Sequence, residues 1–183
     1  DWGDDVLIGG AGNDGLYGEA GRDIIETAGG DMVSGGLGND RVLLGDYRFA
    51  QIDGGAGEDT LVLAGTGRLL DLSAALGTGR LVSIERIELG AGDGLVVRAG
   101  NVAGLTNGGS ALQIAGAQGG QINLVGAWSA AGTETVGGVT HAVYVQGNER
   151  VLVAAGLSVT IAADAPGGAV GLDAVASGDA APT

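Results

Sequence analysis

The chain has no cysteine, no lysine, a single histidine and two prolines in 183 residues. Without thiols it has no disulfide, no thiolate nucleophile and no cysteine-ligated zinc. Aromatic residues make up 3 %, so any core must be built from Val, Leu, Ile and Ala. Cations are scarce as well. Eight Arg stand against 22 Asp and Glu, a formal net charge of -14, and such a surface is a poor partner for a nucleic-acid phosphate backbone. No apolar run approaches the ~18 residues of a membrane-spanning helix. The opening Asp1-Trp2-Gly3-Asp4-Asp5 lacks the cationic and apolar pattern of a signal peptide. What abounds is glycine, 40 residues, roughly three times its usual ~7 % share, and no Gly-X-Y period points to collagen.

The charge is unevenly placed. Residues 1–62 hold 13 of the 22 acids and 3 of the 8 Arg, whereas residues 63–162 hold 6 acids and 5 Arg among short apolar runs. Residues 163–183 are rich in Ala, Gly and Asp and contain both Pro166 and Pro182. The composition therefore predicts an acidic first segment, a metal-poor β segment, and a flexible Ala/Gly-rich tail.

Within the acidic segment a unit recurs. Gly9-Gly10-Ala11-Gly12-Asn13-Asp14-Gly15-Leu16-Tyr17 is followed by Gly18-Glu19-Ala20-Gly21-Arg22-Asp23-Ile24-Ile25-Glu26. Further copies are Gly35-Gly36-Leu37-Gly38-Asn39-Asp40-Arg41-Val42-Leu43 and Gly54-Gly55-Ala56-Gly57-Glu58-Asp59-Thr60-Leu61-Val62, and weaker ones end at Asp5 and Asp31. The aligned aspartates Asp5, Asp14, Asp23, Asp31, Asp40 and Asp59 are 9, 9, 8, 9 and 19 residues apart. Two positions after each lies a branched apolar residue: Leu7, Leu16, Ile25, Val33, Val42 and Leu61. Ordinary hairpin turns do not keep such a period, so a repeat architecture is expected.

Each unit reads as a six-residue turn and a three-residue strand. Glycine permits left-handed backbone in the turn, and alternation in the strand turns the branched residue inward while Val6, Gly15, Ile24, Met32, Arg41 and Thr60 face outward. Two units make one coil. One edge then carries Asp5, Asp23, Asp40 and Asp59, the other Asp14 and Asp31. Stacked strands lie about 4.8 Å apart, and two bare carboxylates ~5 Å apart repel by roughly 1–3 kcal/mol at effective dielectrics of 80 to 20. A hard divalent cation between successive coils removes that penalty. Calcium suits the place, accepting 6–8 mixed carboxylate and carbonyl oxygens in flexible geometry, where magnesium demands an octahedron. Adjacent pairs (5/23, 23/40, 40/59 and 14/31) predict about four ions.

The units resemble the RTX (repeats-in-toxin) calcium-binding nonapeptide GGxGxDxUx of proteins exported by type I secretion. The resemblance implies an all-β fold, a right-handed parallel β-roll or β-solenoid with calcium in its turns. It implies ligation by the carboxylates of Asp5, Asp14, Asp23, Asp31, Asp40 and Asp59 and by the turn carbonyls of Gly10, Gly12, Gly21, Gly36, Gly38, Gly55 and Gly57. The Asp31 unit is one residue short, with Glu26 and Thr27 in place of its leading glycines. Between Leu44 and Asp53 the pattern fails, with Phe49 and Ala50 where an Asp is expected.

Beyond residue 62, short β-like runs alternate with turn residues, including Arg68–Leu72, Arg80–Ile84, Arg86–Leu89, Gly94–Arg98, Ala111–Ile114 and Gln121–Val125. They predict a continuation of the solenoid without metal. Asn101–Leu105 reads as one helical turn capped by Asn101. Gly137-Gly138, between Glu134–Val136 and Val139–Val145, signals an antiparallel hairpin that caps the open end, with Trp128 as its anchor. The run Ser83–Leu89, the Asn101–Leu105 turn and this hairpin together look like the C-terminal region of large RTX adhesins.

No catalytic constellation is evident. His141 has no nucleophile near it in sequence, Glu85 and Glu88 read as solvated strand residues, and Gly9–Asp14 lacks the Lys of a phosphate loop. Enzymatic activity is not expected. The resemblance implies a calcium-dependent folding and secretion module at the C-terminal end of a type I-secreted surface adhesin. Such a module is unfolded at cytosolic calcium and folds outside a Gram-negative cell. Its partners are calcium, the type I secretion machinery during export, and a carbohydrate or surface target of the parent protein, with no nucleic acid and no membrane-spanning segment. Two other readings stand beside it: the same module behind a secreted protease or lipase, and a calcium-dependent carbohydrate-binding module.

Overall fold

The computed structural model describes residues 2–77, 79–109 and 111–164; the tail expected at 163–183 lies outside the described residues from position 165 on. Strands dominate. The acidic segment forms β1 (Val6–Ile8), β2 (Gly15–Ala20), β3 (Ile24–Thr27), β4 (Met32–Leu37), β5 (Arg41–Leu44), β6 (Gln51–Ala56) and β7 (Thr60–Leu63). Odd-numbered strands stack in parallel in one sheet, β1-β3-β5-β7, and even-numbered ones in another, β2-β4-β6. The chain thus crosses from sheet to sheet at every glycine-rich turn and returns one rung further on.

The strands β2, β4 and β6 are six residues long, not three. The leading glycines of the next unit (Gly18, Gly35-Gly36, Gly54-Gly55) lie inside these strands, and Gly36 pairs with Glu19 on one side and Gly55 on the other, because with no Cβ the successive rungs can approach there closely. A Cβ on Gly36 would collide with the Glu19 carbonyl, and one on Gly55 with that of Gly36.

After β7 the path acquires a third side. The elements are β8 (Leu69–Asp71), α1 (Leu72–Leu76), β9 (Leu81–Val82), β10 (Arg86–Leu89), β11 (Gly94–Arg98), α2 (Asn101–Leu105), β12 (Ala111–Gly116) and β13 (Gln121–Val125). Strands β10 and β12 extend the first sheet, β9 ends the second, and β8, β11 and β13 build a third. Helix α1 replaces the strand expected through Leu72. Its cause is local: the Asp71 carboxylate accepts the Ser73 N–H at 2.9 Å and caps the helix. In α2 the cap is Gly100, in left-handed conformation, and Asn101 is the first helical residue rather than the cap. The Asn101 side chain instead accepts from the Arg98 N–H at 2.7 Å.

The chain then forms β14 (Ser129–Val136), β15 (Val139–Gln146), β16 (Glu149–Ala154) and β17 (Ser158–Ala162). Strand β16 continues the parallel stack on β12, while β15 and β14 add to it antiparallel, through a turn in which Gly137 and Gly138 both have positive φ. Trp128 is buried in the core at the foot of this hairpin. His141 is also buried, its Nδ1 2.9 Å from the Val139 carbonyl oxygen.

The core is a set of columns. Leu7, Ile25, Val42, Leu61, Ile87, Ile114 and Val153 face one another rung by rung in the first sheet. Leu16, Val33, Ile52 and Leu81 do so in the second, and Leu70, Leu95, Ile122 and Val159 in the third. Residues 1–62 and 63–162 thus share one apolar column. In the outer row Val6, Ile24 and Met32 are exposed as expected, but Thr60 is buried, flanked by Arg41 and Arg86.

Ile87 sits where the two segments meet and is fully buried. Ile87→Ala is expected to destabilise the calcium-loaded chain by about 2–5 kcal/mol, read as a lower urea midpoint of a single cooperative transition. Loss confined to one segment would show that the column is not shared.

Candidate metal centre

The repeat aspartates form a ladder along one edge. The Asp5 N–H donates to Asp23 Oδ1 at 2.8 Å, Asp23 N–H to Asp40 Oδ1 at 2.9 Å, and Asp40 N–H to Asp59 Oδ1 at 2.8 Å. On the opposite edge the Asp14 N–H donates to Asp31 Oδ1 at 2.8 Å. Each carboxylate after the first therefore reaches back one coil and uses one oxygen to satisfy a turn amide. Asp23, Asp31, Asp40 and Asp59 are all buried.

The second oxygen separates two kinds of rung. Asp31 Oδ2 accepts from the Thr27 hydroxyl at 3.1 Å and the Ala28 N–H at 3.0 Å. Oδ2 of Asp14, Asp23, Asp40 and Asp59 is buried with no hydrogen-bond partner. A buried, unpaired carboxylate oxygen is costly, and four alike, at equivalent positions of a repeat, require a common cause.

The surroundings of three of them, at Asp23, Asp40 and Asp59 on one edge, supply it. A Cβ placed on Gly18 would collide with both Asp23 Oδ2 and the Gly35 carbonyl; one on Gly35, with Asp40 Oδ2 and the Gly54 carbonyl. One on Gly54 would meet the Ser83 carbonyl and Asp59 Oδ2. Glycine thus keeps open, coil after coil, a cradle lined by a carboxylate oxygen from one rung and a carbonyl oxygen from the next. An all-oxygen donor set of mixed carboxylate and carbonyl, with no Cys or His, fits a hard cation of the calcium type. Among the described residues no three acidic side chains or histidines converge, so backbone carbonyls must complete each ligand set.

Charge accumulates along the same edge. Burial pushes the Asp59 carboxyl up to about 6, helped by the nearby charges of Asp40, Glu85 and Asp53 and opposed by the Asp40 N–H. Burial also raises Asp40, against the Asp23 N–H and with the Asp23 charge. At Asp31 burial acts upward too, but hydrogen bonds from Asp14, Ala28 and Thr27 outweigh it and hold the group below the usual range.

The model of the RTX calcium-binding nonapeptide repeat matches in four copies, over residues 1–31, 27–46 and 51–65. The first third of the chain is an RTX calcium-binding repeat array. The gap in the match at 47–50 contains Phe49 and Ala50, where the repeat lacks its Asp and Phe49 is buried in the core. No curated protein and no solved structure matches the chain.

Within the RTX array, all six expected aspartates lie on the two turn edges, four of them with an unpartnered oxygen. The glycines expected to lend carbonyls (Gly10, Gly12, Gly21, Gly36, Gly38, Gly55 and Gly57) all have positive φ. The carbonyl of Gly12 accepts the Gly30 N–H at 3.2 Å, and those of Gly21, Gly36 and Gly38 abut Gly38, Gly55 and Gly57 of the next coil. The carbonyls bordering the orphaned oxygens of Asp23, Asp40 and Asp59 belong to Gly35, Gly54 and Ser83, which the nine-residue spacing does not single out. Gly35 and Gly54 carry a signal in the sequence, as the first glycine of each unit, and Ser83 carries none. Glu85 and Glu88 are not simply solvated: Glu88 forms a two-pronged pair with Arg41 at 3.0 and 2.8 Å, and Glu85 Oε2 accepts the Asp59 N–H at 2.9 Å.

Gly35→Ala is expected to weaken calcium binding at the Asp40 rung by about tenfold or more, since the methyl would occupy the cradle; calorimetric titration reads this. The edge also carries a pH dependence. The folded-state pKa of Asp59 lies above its ordinary value of 3.8, so ionisation opposes folding. The penalty is absent near pH 4 and grows as pH rises through about 6. In calcium-free buffer the β signal in circular dichroism is therefore expected to increase on going from pH 7.5 to pH 5.

Proposed function

We propose that the chain is a calcium-dependent folding module of a type I-secreted bacterial protein, coiled as a right-handed parallel β-roll whose turns hold about four ions and continued by metal-free solenoid strands. The observation that carries this reading is the row of buried carboxylate oxygens without donors, at Asp14, Asp23, Asp40 and Asp59, inside RTX repeats. Asp5 and Asp31 complete the two edges.

The residues act in a simple order. At low calcium the aspartates of neighbouring coils repel and their inner oxygens have no partner, while glycine-rich turns gain entropy by staying open. The array then remains expanded, a form suited to passage through a narrow channel. Bound calcium supplies the positive charge and open coordination that these oxygens lack. At about 1 mM calcium and a Kd of ~0.1 mM, in or near the range of extracellular sites, each site contributes RT ln 11, about 1.4 kcal/mol. Four contribute about 6 kcal/mol, as much as the net stability of a small domain. Folding is thereby confined to the calcium-rich exterior of the cell.

The parent protein we propose is a surface adhesin of a Gram-negative bacterium, exported by type I secretion machinery and directed at a carbohydrate or other surface target. The support is the arrangement after the repeats. The Ser83–Leu89 run, helix α2 and the β14–β15 hairpin together resemble the C-terminal region of RTX adhesins. We assign the chain itself no enzymatic activity. Among the described residues no helix is long and apolar enough to cross a membrane.

Excess chelator is expected to abolish the β signal of residues 2–65 in circular dichroism and to enlarge the radius of gyration in small-angle scattering, and calcium is expected to restore both. A chain equally compact and β-rich with and without calcium would refute the reading.

A further inference from the structure

The aspartate ladder does not stop at the last repeat. Strand β10 pairs with β7 so that Arg86 lies opposite Thr60, which sets Glu85 beside Asp59. The Arg86 N–H donates to the Asp59 carbonyl at 3.0 Å, as Thr60 N–H does to Asp40 and Arg41 N–H to Asp23, both at 2.8 Å. The Asp59 N–H in turn donates to Glu85 Oε2 at 2.9 Å, the bond that every earlier amide on this edge makes to an aspartate. Ile87, two residues on, fills the apolar column like the residue two places after each repeat Asp.

The cradle is repeated too. Asp59 is fully buried, and its Oδ2 has no partner. Gly54 lies against that oxygen and against the Ser83 carbonyl, as Gly35 lies against Asp40 Oδ2 and the Gly54 carbonyl. The connection here is three residues shorter than in the repeats: Ser83 to Glu85 replaces Gly35 to Asp40. Ser83 adopts φ 56, a left-handed conformation uncommon outside glycine. That single strained residue does the work of a glycine pair, and strain of this kind collects at ligand sites. The extra methylene of Glu85 restores the reach that the shorter turn removes.

We propose a further calcium site at the junction, outside the nonapeptide pattern, formed by the carboxylates of Asp59 and Glu85 and the carbonyl of Ser83. It rests on the calcium reading above and adds to the sites between aspartate rungs. The site joins the last repeat coil to the first coil of the metal-poor segment, so occupancy of the array is coupled to the order of that segment. The ladder ends there, because the residue opposite Glu85 on β12 is Leu112, which carries no ligand.

Native mass spectrometry and calorimetric titration of the full chain with calcium test the proposal. Glu85→Gln keeps an oxygen for the Asp59 N–H but removes the charge. It is expected to hold one ion fewer than the wild type, or to bind one ion about tenfold or more weakly. Glu88→Gln, which breaks only the pair with Arg41, is expected to match the wild type. A Glu85→Gln chain with wild-type stoichiometry and affinity overturns the junction site while leaving the repeat sites standing. A wild-type chain that takes no calcium overturns the calcium reading itself. If Glu85→Gln fails to fold, the anomalous map of a wild-type crystal grown in calcium decides. A peak between the Asp59 carboxylate and the Ser83 carbonyl supports the site, and filled repeat rungs with nothing there overturn it.

Discussion

Every coil of the acidic segment depends on one hydrogen bond, from the backbone N–H of an aspartate to the carboxylate of the aspartate one coil further on. It satisfies the turn amide, fixes the carboxylate at the inner side of the turn, and commits the other oxygen to an interior with no donor. The apolar columns hold the sheets together, but they would do so equally well with neutral turns. What makes the turns acidic, glycine-lined and incomplete is that second oxygen. Asp31 shows the alternative within the same molecule: with a threonine hydroxyl and a backbone amide at hand, the rung is closed by protein alone.

The strands after the repeats use the Asp31 solution again. Asp93, in the turn between β10 and β11, is fully buried; Oδ1 accepts the Arg68 N–H at 3.0 Å and Oδ2 the Gly90 N–H at 3.1 Å. The geometry of a rung survives with both carboxylate oxygens satisfied by backbone amides. The same fold thus contains both states of one device. Which state a turn adopts is decided by whether an amide three residues earlier points at the second oxygen.

Much of this is legible in the sequence, and the reasons differ by element. The nine-residue spacing places Asp14, Asp23, Asp40 and Asp59 on two edges and Leu16, Ile25, Val42 and Leu61 inside, because period and side-chain alternation are properties of the chain itself. Asn101 reads as a cap and is not one, since a capping preference is weaker than the left-handed freedom of Gly100 beside it. Helix α1 is hidden because Leu69-Leu70-Asp71-Leu72 alternates like a strand, and only the Asp71 cap converts it. Glu85 is the costliest omission. It lies 26 residues after Asp59, the connection between them having taken in β8, α1 and β9, so no fixed period could reveal that it is the next rung.

Bonds of the ladder join residues 17 to 19 positions apart in the repeats. Each rung is therefore completed by the coil next to it and by nothing more distant. A chain presented gradually, from either end, closes one rung for about every twenty residues that become free, and each closure shapes the seat for its neighbour. Order spreads like a zip fastener, with nearest neighbours alone deciding each step. Among the described residues, the antiparallel β14–β15 hairpin covers the last parallel rung of the first sheet, and there that progression stops.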